Sequence, residues 1–87
     1  EIPEARLEPG EDLAAGVELA PVLLRSGLVS SLSDARRQLG QGAVSVNGEK
    51  VDAARVLVEG DRLAGRWVLL RRGKRDWAAL DTAPSAL

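Results

Sequence analysis

Apolar and polar residues change rhythm twice along this chain. The first 17 residues carry Pro3, Pro9, Gly10 and Gly16 among acids. That composition reads as an acidic linker or arm outside the core, with one short strand at Ala5 to Leu7. From Val17 the apolar residues crowd at helical spacing. Leu19, Val22, Leu23 and Leu24, with Pro21 in a first-turn position and Gly27 as a left-handed stop, predict a helix over 19–26. Ser30, Ser31 and Ser33 offer N-caps, and Ser31 stands three residues before Asp34 in a capping-box spacing. A second helix follows over 33–41 and stops at Gly42. On it Leu32, Ala35 and Leu39 share one face, Arg37 and Gln41 project from the other, and Arg36 sits at the flank.

After Gly42 the period becomes two. Val44-Ser45-Val46 predicts a strand, Asn47-Gly48 a tight turn chosen for positive φ, and Glu49-Lys50-Val51 the return. Arg66 to Arg71 and Asp76 to Leu80 predict a second hairpin, joined through Arg72-Gly73-Lys74-Arg75. Between the hairpins, Val56-Leu57-Val58 and the Glu59-Gly60-Asp61 turn supply one more short strand or connection. The expected fold is α+β: an αα-hairpin of two short helices packed on a small, mostly antiparallel sheet. The expected organisation is an arm over 1–17, a domain over 18–81 and a disordered tail over 82–87.

Composition narrows what such a domain does. Its 87 residues suffice for one small domain, and the apolar 45% is built from Leu, Ala and Val with Trp67 and Trp77 as the aromatics. The core is therefore aliphatic and thin. A chain without Phe or Tyr needs its tryptophans as filler, so Trp67 is assigned to the core, and the core competes for Trp77 as well. The absence of His and Cys excludes imidazole or thiol catalysis, disulfides and Cys/His zinc sites. The absence of an initiator Met suggests an excised piece or a processed product. No apolar run is long enough to span a membrane or act as a signal peptide, so no membrane partner is expected and a cytoplasmic location is the default.

The carboxylates Glu11-Asp12 and Glu59-Asp61 lie in polar, turn-like sequence with no apolar pocket to raise a pKa. A Ser/Lys dyad would have to use Lys50 or Lys74, both in predicted turns. Gly40-Gln41-Gly42 runs from helix to strand, the reverse of a dinucleotide fingerprint, and reads as a helix C-cap. No EF-hand spacing is present. The fragment is expected to be no enzyme by itself, with no metal and no cofactor.

The net charge of -1 hides a division. Residues 1–20 hold Glu1, Glu4, Glu8, Glu11, Asp12 and Glu18 against Arg6, whereas residues 62–75 hold Arg62, Arg66, Arg71, Arg72, Lys74 and Arg75 with no acid. A basic cluster of this kind points to an anionic partner. Ser31, Ser33, Arg36 and Arg37 on the second helix, and Arg71, Arg72, Lys74 and Arg75 at the hairpin tip, are the candidate phosphate and ribose contacts. If the second helix packs on the sheet through Ala35 and Leu39, the two clusters share one positive surface. Trp77 is the candidate stacking residue there.

Ser26 to Leu39, followed by Gly42-Ala43-Val44-Ser45-Val46-Asn47-Gly48-Glu49-Lys50-Val51, resembles the αL RNA-binding domain first defined in ribosomal protein S-four, over roughly residues 18–58. The ending Leu69-Leu70-Arg71-Arg72-Gly73-Lys74-Arg75-Asp76-Trp77 is similar to the basic, aromatic-terminated finish of the C-terminal domain of bacterial tyrosyl-tRNA synthetases, and Glu1-Ile2-Pro3-Glu4 to the segment joining it to the catalytic body. The family pattern often has Lys at the position of Leu32 and Tyr or Phe at Trp77. The first change removes one phosphate contact, and the second keeps an aromatic. The resemblance implies a domain that grips tRNA, namely tRNA-Tyr, on its long variable arm and anticodon-stem side. It also implies that tyrosine–tRNA ligase chemistry and ATP belong to a parent that is homodimeric through its catalytic body, the isolated domain being monomeric. The same fold allows an rRNA-targeting domain of a pseudouridine synthase or of a heat-shock ribosome-binding protein. An alternative of another class is a protein-interaction module whose acidic lead docks on a basic partner.

Overall fold

The alternation that begins after Gly42 decides which side of the sheet is covered. The computed structural model describes residues 3–8, 10–52 and 54–82. In chain order it contains β1 (Glu4–Arg6), β2 (Val17–Glu18), α1 (Leu19–Arg25), α2 (Leu32–Gly40), β3 (Val44–Val46), β4 (Glu49–Lys50), β5 (Val56–Leu57), a 3₁₀ turn (Glu59–Asp61), β6 (Trp67–Arg72) and β7 (Asp76–Asp81). Five strands form one sheet in the order β1-β7-β6-β3-β4, antiparallel except where β1 runs parallel to β7. β2 and β5 form a separate antiparallel pair. Val44, Val46, Val68, Leu70, Ala78 and Leu80 are buried in one cluster with Val22, Leu23, Ala35 and Leu39 of the helical hairpin. This is the expected α+β class, with an entirely aliphatic buried cluster among the described residues.

Both helices end in the same way for the same reason. Gly27 (φ +81°) and Gly42 (φ +70°) take the left-handed conformation. Leu28 N–H then returns to the Leu23 carbonyl at 3.2 Å, and Ala43 N–H to that of Gln38 at 3.0 Å. Gly27 and Gly42 donate within these bonds, to the carbonyls of Leu24 and Leu39, which completes two Schellman caps. At the start of α2 the Ser31 hydroxyl accepts from Asp34 N–H at 3.0 Å, while the Asp34 carboxylate accepts from Ser30 N–H at 3.2 Å. The capping box thus closes one residue earlier than the Ser31–Asp34 spacing suggested.

Four expectations are corrected. The acidic lead contributes to the core: Ala5 and Leu13 are buried, β1 pairs with β7, and Arg25 of α1 binds Glu8 at 3.1 Å and Glu11 at 2.5 Å. Leu32, the first residue of α2, is 38% exposed, and the buried face of that helix consists of Ala35 and Leu39. Trp67 is half-buried and lies outside the core, since its strand alternates with Val68 and Leu70 facing the helices. Thr82, assigned to the tail, is buried and donates both N–H and hydroxyl to the Arg66 carbonyl. Residues 83–87 lie outside the described residues.

Asn47 carries more than its turn. Its φ is +52°, its N–H donates to the Leu69 carbonyl at 2.7 Å, its side-chain oxygen accepts from Leu69 N–H at 2.9 Å, and its amide donates to the Asp61 carbonyl at 2.5 Å. One residue thereby fastens the β3–β4 turn to β6 and to the 3₁₀ turn. Asn47→Ala strands these groups and strains the backbone, and is expected to cost about 2–4 kcal/mol in urea unfolding. Asn47→Gly should recover about 1 kcal/mol of that loss by relieving φ alone. Equal stability of the two variants would contradict the backbone part of this account.

Candidate nucleic-acid interface

The β6–β7 hairpin sets up the basic tip. Its register places Arg71 opposite Trp77 and Arg72 opposite Asp76, leaving Gly73, Lys74 and Arg75 as the turn. Gly73 N–H donates to the Ala43 carbonyl at 2.8 Å, which ties the turn to the residue that follows the α2 cap. Lys74 and Arg75 are exposed and make no ion pair among the described residues. Arg71 lies over the Trp77 ring, 5.1 Å from its centroid, and reaches the Ser45 hydroxyl at 3.4 Å. Arg72 is bound to Asp76 at 2.7 Å. Trp77 is half-buried on the side of the sheet away from the helices, so the strand's parity keeps it out of the core.

On α2 the four candidates separate. Ser31, Ser33 and Arg37 line one shallow depression with Ser30 and Asp34. Ser31 is committed to its cap, and Arg37 to Asp34 at 2.6 Å. Arg36 is exposed and lines a different depression with Glu18, Leu39, Arg55 and Val56. Arg72, Arg75 and Trp77 line a third with the α1–α2 connection. Four of the eight proposed contacts, Arg36, Arg71, Lys74 and Arg75, are therefore cations without a carboxylate partner among the described residues.

Folding also redraws the charge map. Arg66, counted with the basic cluster, forms a two-pronged bond to the buried Asp81 at 2.9 and 2.8 Å and lies 4.8 Å over the Trp67 ring. Asp81 and Asp76 follow the basic stretch in sequence but face it across the hairpin. Arg55 similarly binds Asp61 through two bonds of 3.0 and 2.5 Å. The sequence signal for the Arg66–Asp81 and Arg72–Asp76 pairs is strand register, which a count of charges by window ignores. Gly40-Gln41-Gly42 closes α2, as its order implies, and presents no helix start to a phosphate. Among the described residues no helix is long and apolar enough to cross a membrane.

Residues 1–80 match the family model described as the tyrosine–tRNA ligase SYY-like C-terminal domain. The chain belongs to that family. It is 36% identical over 81 residues to a tyrosine–tRNA ligase of Opitutus terrae, covering 92% of this chain and 19% of that relative. It is 40% identical over 73 residues to one of Yersinia pestis, covering 83% of this chain and 17% of the relative. The solution structure of a tyrosyl-tRNA synthetase C-terminal domain superposes with a TM-score of 0.70 at 32% identity, covering 94% of this chain and 79% of that one. The chain thus spans about a fifth of the length of the curated ligases it matches. Within a ligase C-terminal domain of this family, the match reaches back over the acidic lead, the segment that Arg25 fastens to α1.

Two carboxylates are tuned by such bonds, Asp34 beside the α2 candidates and Asp61 in the separate depression next to Asn47. The Arg37 guanidinium, then Ser30 N–H and the Gln38 amide, hold the Asp34 carboxyl at about 2, from an ordinary 3.8. Burial alone would raise Asp61, but the Arg55 bonds and Val58 N–H outweigh it and leave the group below 3.8. Both native values lie below the unfolded ones, so these groups stabilise the fold fully above the unfolded pKa and lose that contribution as pH falls through the native one. Stability by circular dichroism is expected to be flat down to about pH 5 and to decline below it, the Asp34 part persisting until about pH 2. Asp61→Asn should flatten part of that decline. An acid transition unaltered in Asp61→Asn would contradict the assignment.

Proposed function

We propose that this domain binds tRNA on behalf of a tyrosine–tRNA ligase, gripping tRNA-Tyr on its long variable arm and anticodon-stem side. The amino-acid chemistry and ATP are then the business of the rest of a longer, cytoplasmic protein, dimeric through its catalytic body. The observation that carries this reading is the open hairpin tip: Lys74 and Arg75 project beside Trp77 with no ion pair among the described residues, while Arg72 and Arg66 are neutralised within the fold. A fold that spends Asp76 and Asp81 on Arg72 and Arg66 yet leaves the tip cationic suits a polyanion. Membership of the ligase C-terminal domain family supports tRNA over rRNA as that polyanion. The acidic lead makes a poor dock for a basic protein, because Glu8 and Glu11 already hold Arg25.

Of the eight candidates, Arg36, Arg71, Lys74 and Arg75, which have no carboxylate partner among the described residues, are the principal phosphate contacts in this reading. Ser31, Ser33, Arg37 and Arg72 play secondary roles. Neutralising about four phosphates predicts that log K for tRNA falls with log salt at a slope of about -3 to -4. Lys74→Ala with Arg75→Ala should reduce the magnitude of that slope by about 2. Arg37→Ala and Arg72→Ala should each change it by less, since each arginine already has a carboxylate. Filter binding across a salt series reads all of these. Salt-independent binding, or a double variant with the parent slope, would overturn the proposal.

A further inference from the structure

Each tryptophan of the chain has an arginine over its ring, and the two pairs differ in one respect. Arg66 lies 4.8 Å over Trp67 and is also gripped by the Asp81 carboxylate through two bonds. Arg71 lies 5.1 Å over Trp77 and donates to the Ser45 hydroxyl at 3.4 Å, with no carboxylate partner among the described residues. Strand register produces this arrangement. Trp77 stands opposite Arg71, and Arg71 opposite Ser45, so the three form one row across β7, β6 and β3. Val44 and Val46, on either side of Ser45, enter the core beside the helices, which puts the row on the uncovered face of the sheet.

A carboxylate would fix the Arg71 guanidinium and cancel its charge together. A π-face and a hydroxyl fix it and leave the charge in place. The Nε of Arg71 is buried without a hydrogen-bond partner, so the cation is partly withdrawn from water and its charge is unanswered. Such a guanidinium favours an anion of matching fork geometry, and the phosphodiester of an RNA backbone supplies one. We propose that Arg71 is a preorganised phosphate-binding fork on the uncovered sheet face, with Trp77 and Ser45 as its positioning residues. This rests on the tRNA-binding reading above and adds how one of its contacts is set: the ring holds the arginine, and the arginine holds the RNA. Arg71 therefore surrenders less side-chain freedom on meeting a phosphate than the exposed Lys74 and Arg75 of the turn.

Filter binding of the whole chain to tRNA across a salt series, arranged as a double-mutant cycle, tests this. Arg71→Ala should weaken binding about tenfold and lower the magnitude of the salt slope by about 1. Trp77→Leu keeps apolar bulk without the π-face, and should weaken binding about three- to fivefold with the slope unchanged, since no charge is lost. Trp77→Phe should recover most of that loss, and Ser45→Ala should cost about twofold. In the Arg71→Ala background, Trp77→Leu should have no further effect. Trp67→Leu should leave the affinity as it is, because the arginine over that ring is already neutralised. In ¹⁵N spectra of the free chain the Arg71 Nε–H should exchange slowly with water, and Trp77→Leu should speed that exchange. Urea unfolding of each variant separates loss of fold from loss of grip, and if Trp77→Leu unfolds, Trp77→Phe and Ser45→Ala carry the cycle. An equal loss on Trp77→Leu with and without Arg71 would mean that the ring meets the RNA itself, and would overturn the proposal. Unchanged affinity in Arg71→Ala, while Lys74→Ala with Arg75→Ala lowers the slope, would also overturn it and leave the tRNA reading intact. Failure of the parent chain to bind tRNA at low salt would overturn both.

Discussion

Six paired positions between β6 and β7 place Val68, Leu70, Ala78 and Leu80 on the side of the helices. The same pairing places Trp67, Leu69, Arg71, Trp77 and Ala79 on the other side. Burying each large aliphatic side chain stabilises the fold by roughly 1.5–3 kcal/mol, and a slip of one residue would exchange the two sets. The helical hairpin, the edge strand β1 and the interior strand β3 all pack or pair on this register. The candidate interface follows from it too. With aliphatic residues filling the covered face, the two tryptophans are carried outward with the arginines.

That parity explains how a chain with no other aromatics can leave its tryptophans out of the core. Leu, Val and Ala close the space between two short helices and one sheet without help. Each tryptophan instead lies under an arginine, a contact of about 0.5–1 kcal/mol when exposed. The charges sort by the same register. Asp76 and Asp81 lie across from the arginines of β6 or just beyond them, and the turn between the strands holds Lys74 and Arg75, which make no ion pair among the described residues. A nearly neutral chain thus presents a localised positive tip.

Local signals were legible in the sequence. Gly27 and Gly42 stop helices through backbone geometry that glycine alone adopts cheaply, Asn47-Gly48 marks its turn, and Arg72 to Arg75 mark theirs. Non-local pairings were not. Leu13 is the one large apolar residue between Asp12 and the small Ala14-Ala15-Gly16, with no period to announce that it is buried. β1 is three residues long and owes its place to β7, far away in the chain. The parity of Trp67 and Trp77 with Arg71 was present in the strand sequences, but composition pulled the opposite way. On α2 the exposed face was readable, whereas the division of Arg36 and Arg37 between two depressions depends on Asp34 and on the β2–β5 pair beside the helix.

The central claim is that a polyanion meets this domain at the end of the β6–β7 hairpin and extends toward the helical hairpin. A ¹⁵N chemical-shift titration of the chain with tRNA at low salt reads this residue by residue. The account predicts the largest changes at the Gly73, Lys74 and Arg75 amides, the Arg71 and Arg75 side-chain N–H groups and the Trp77 indole, with smaller ones at Ser33 and Arg36. Changes centred on the Glu8 to Asp12 segment, or on the depression beside Asn47 and Asp61, with the hairpin tip unmoved, would contradict it.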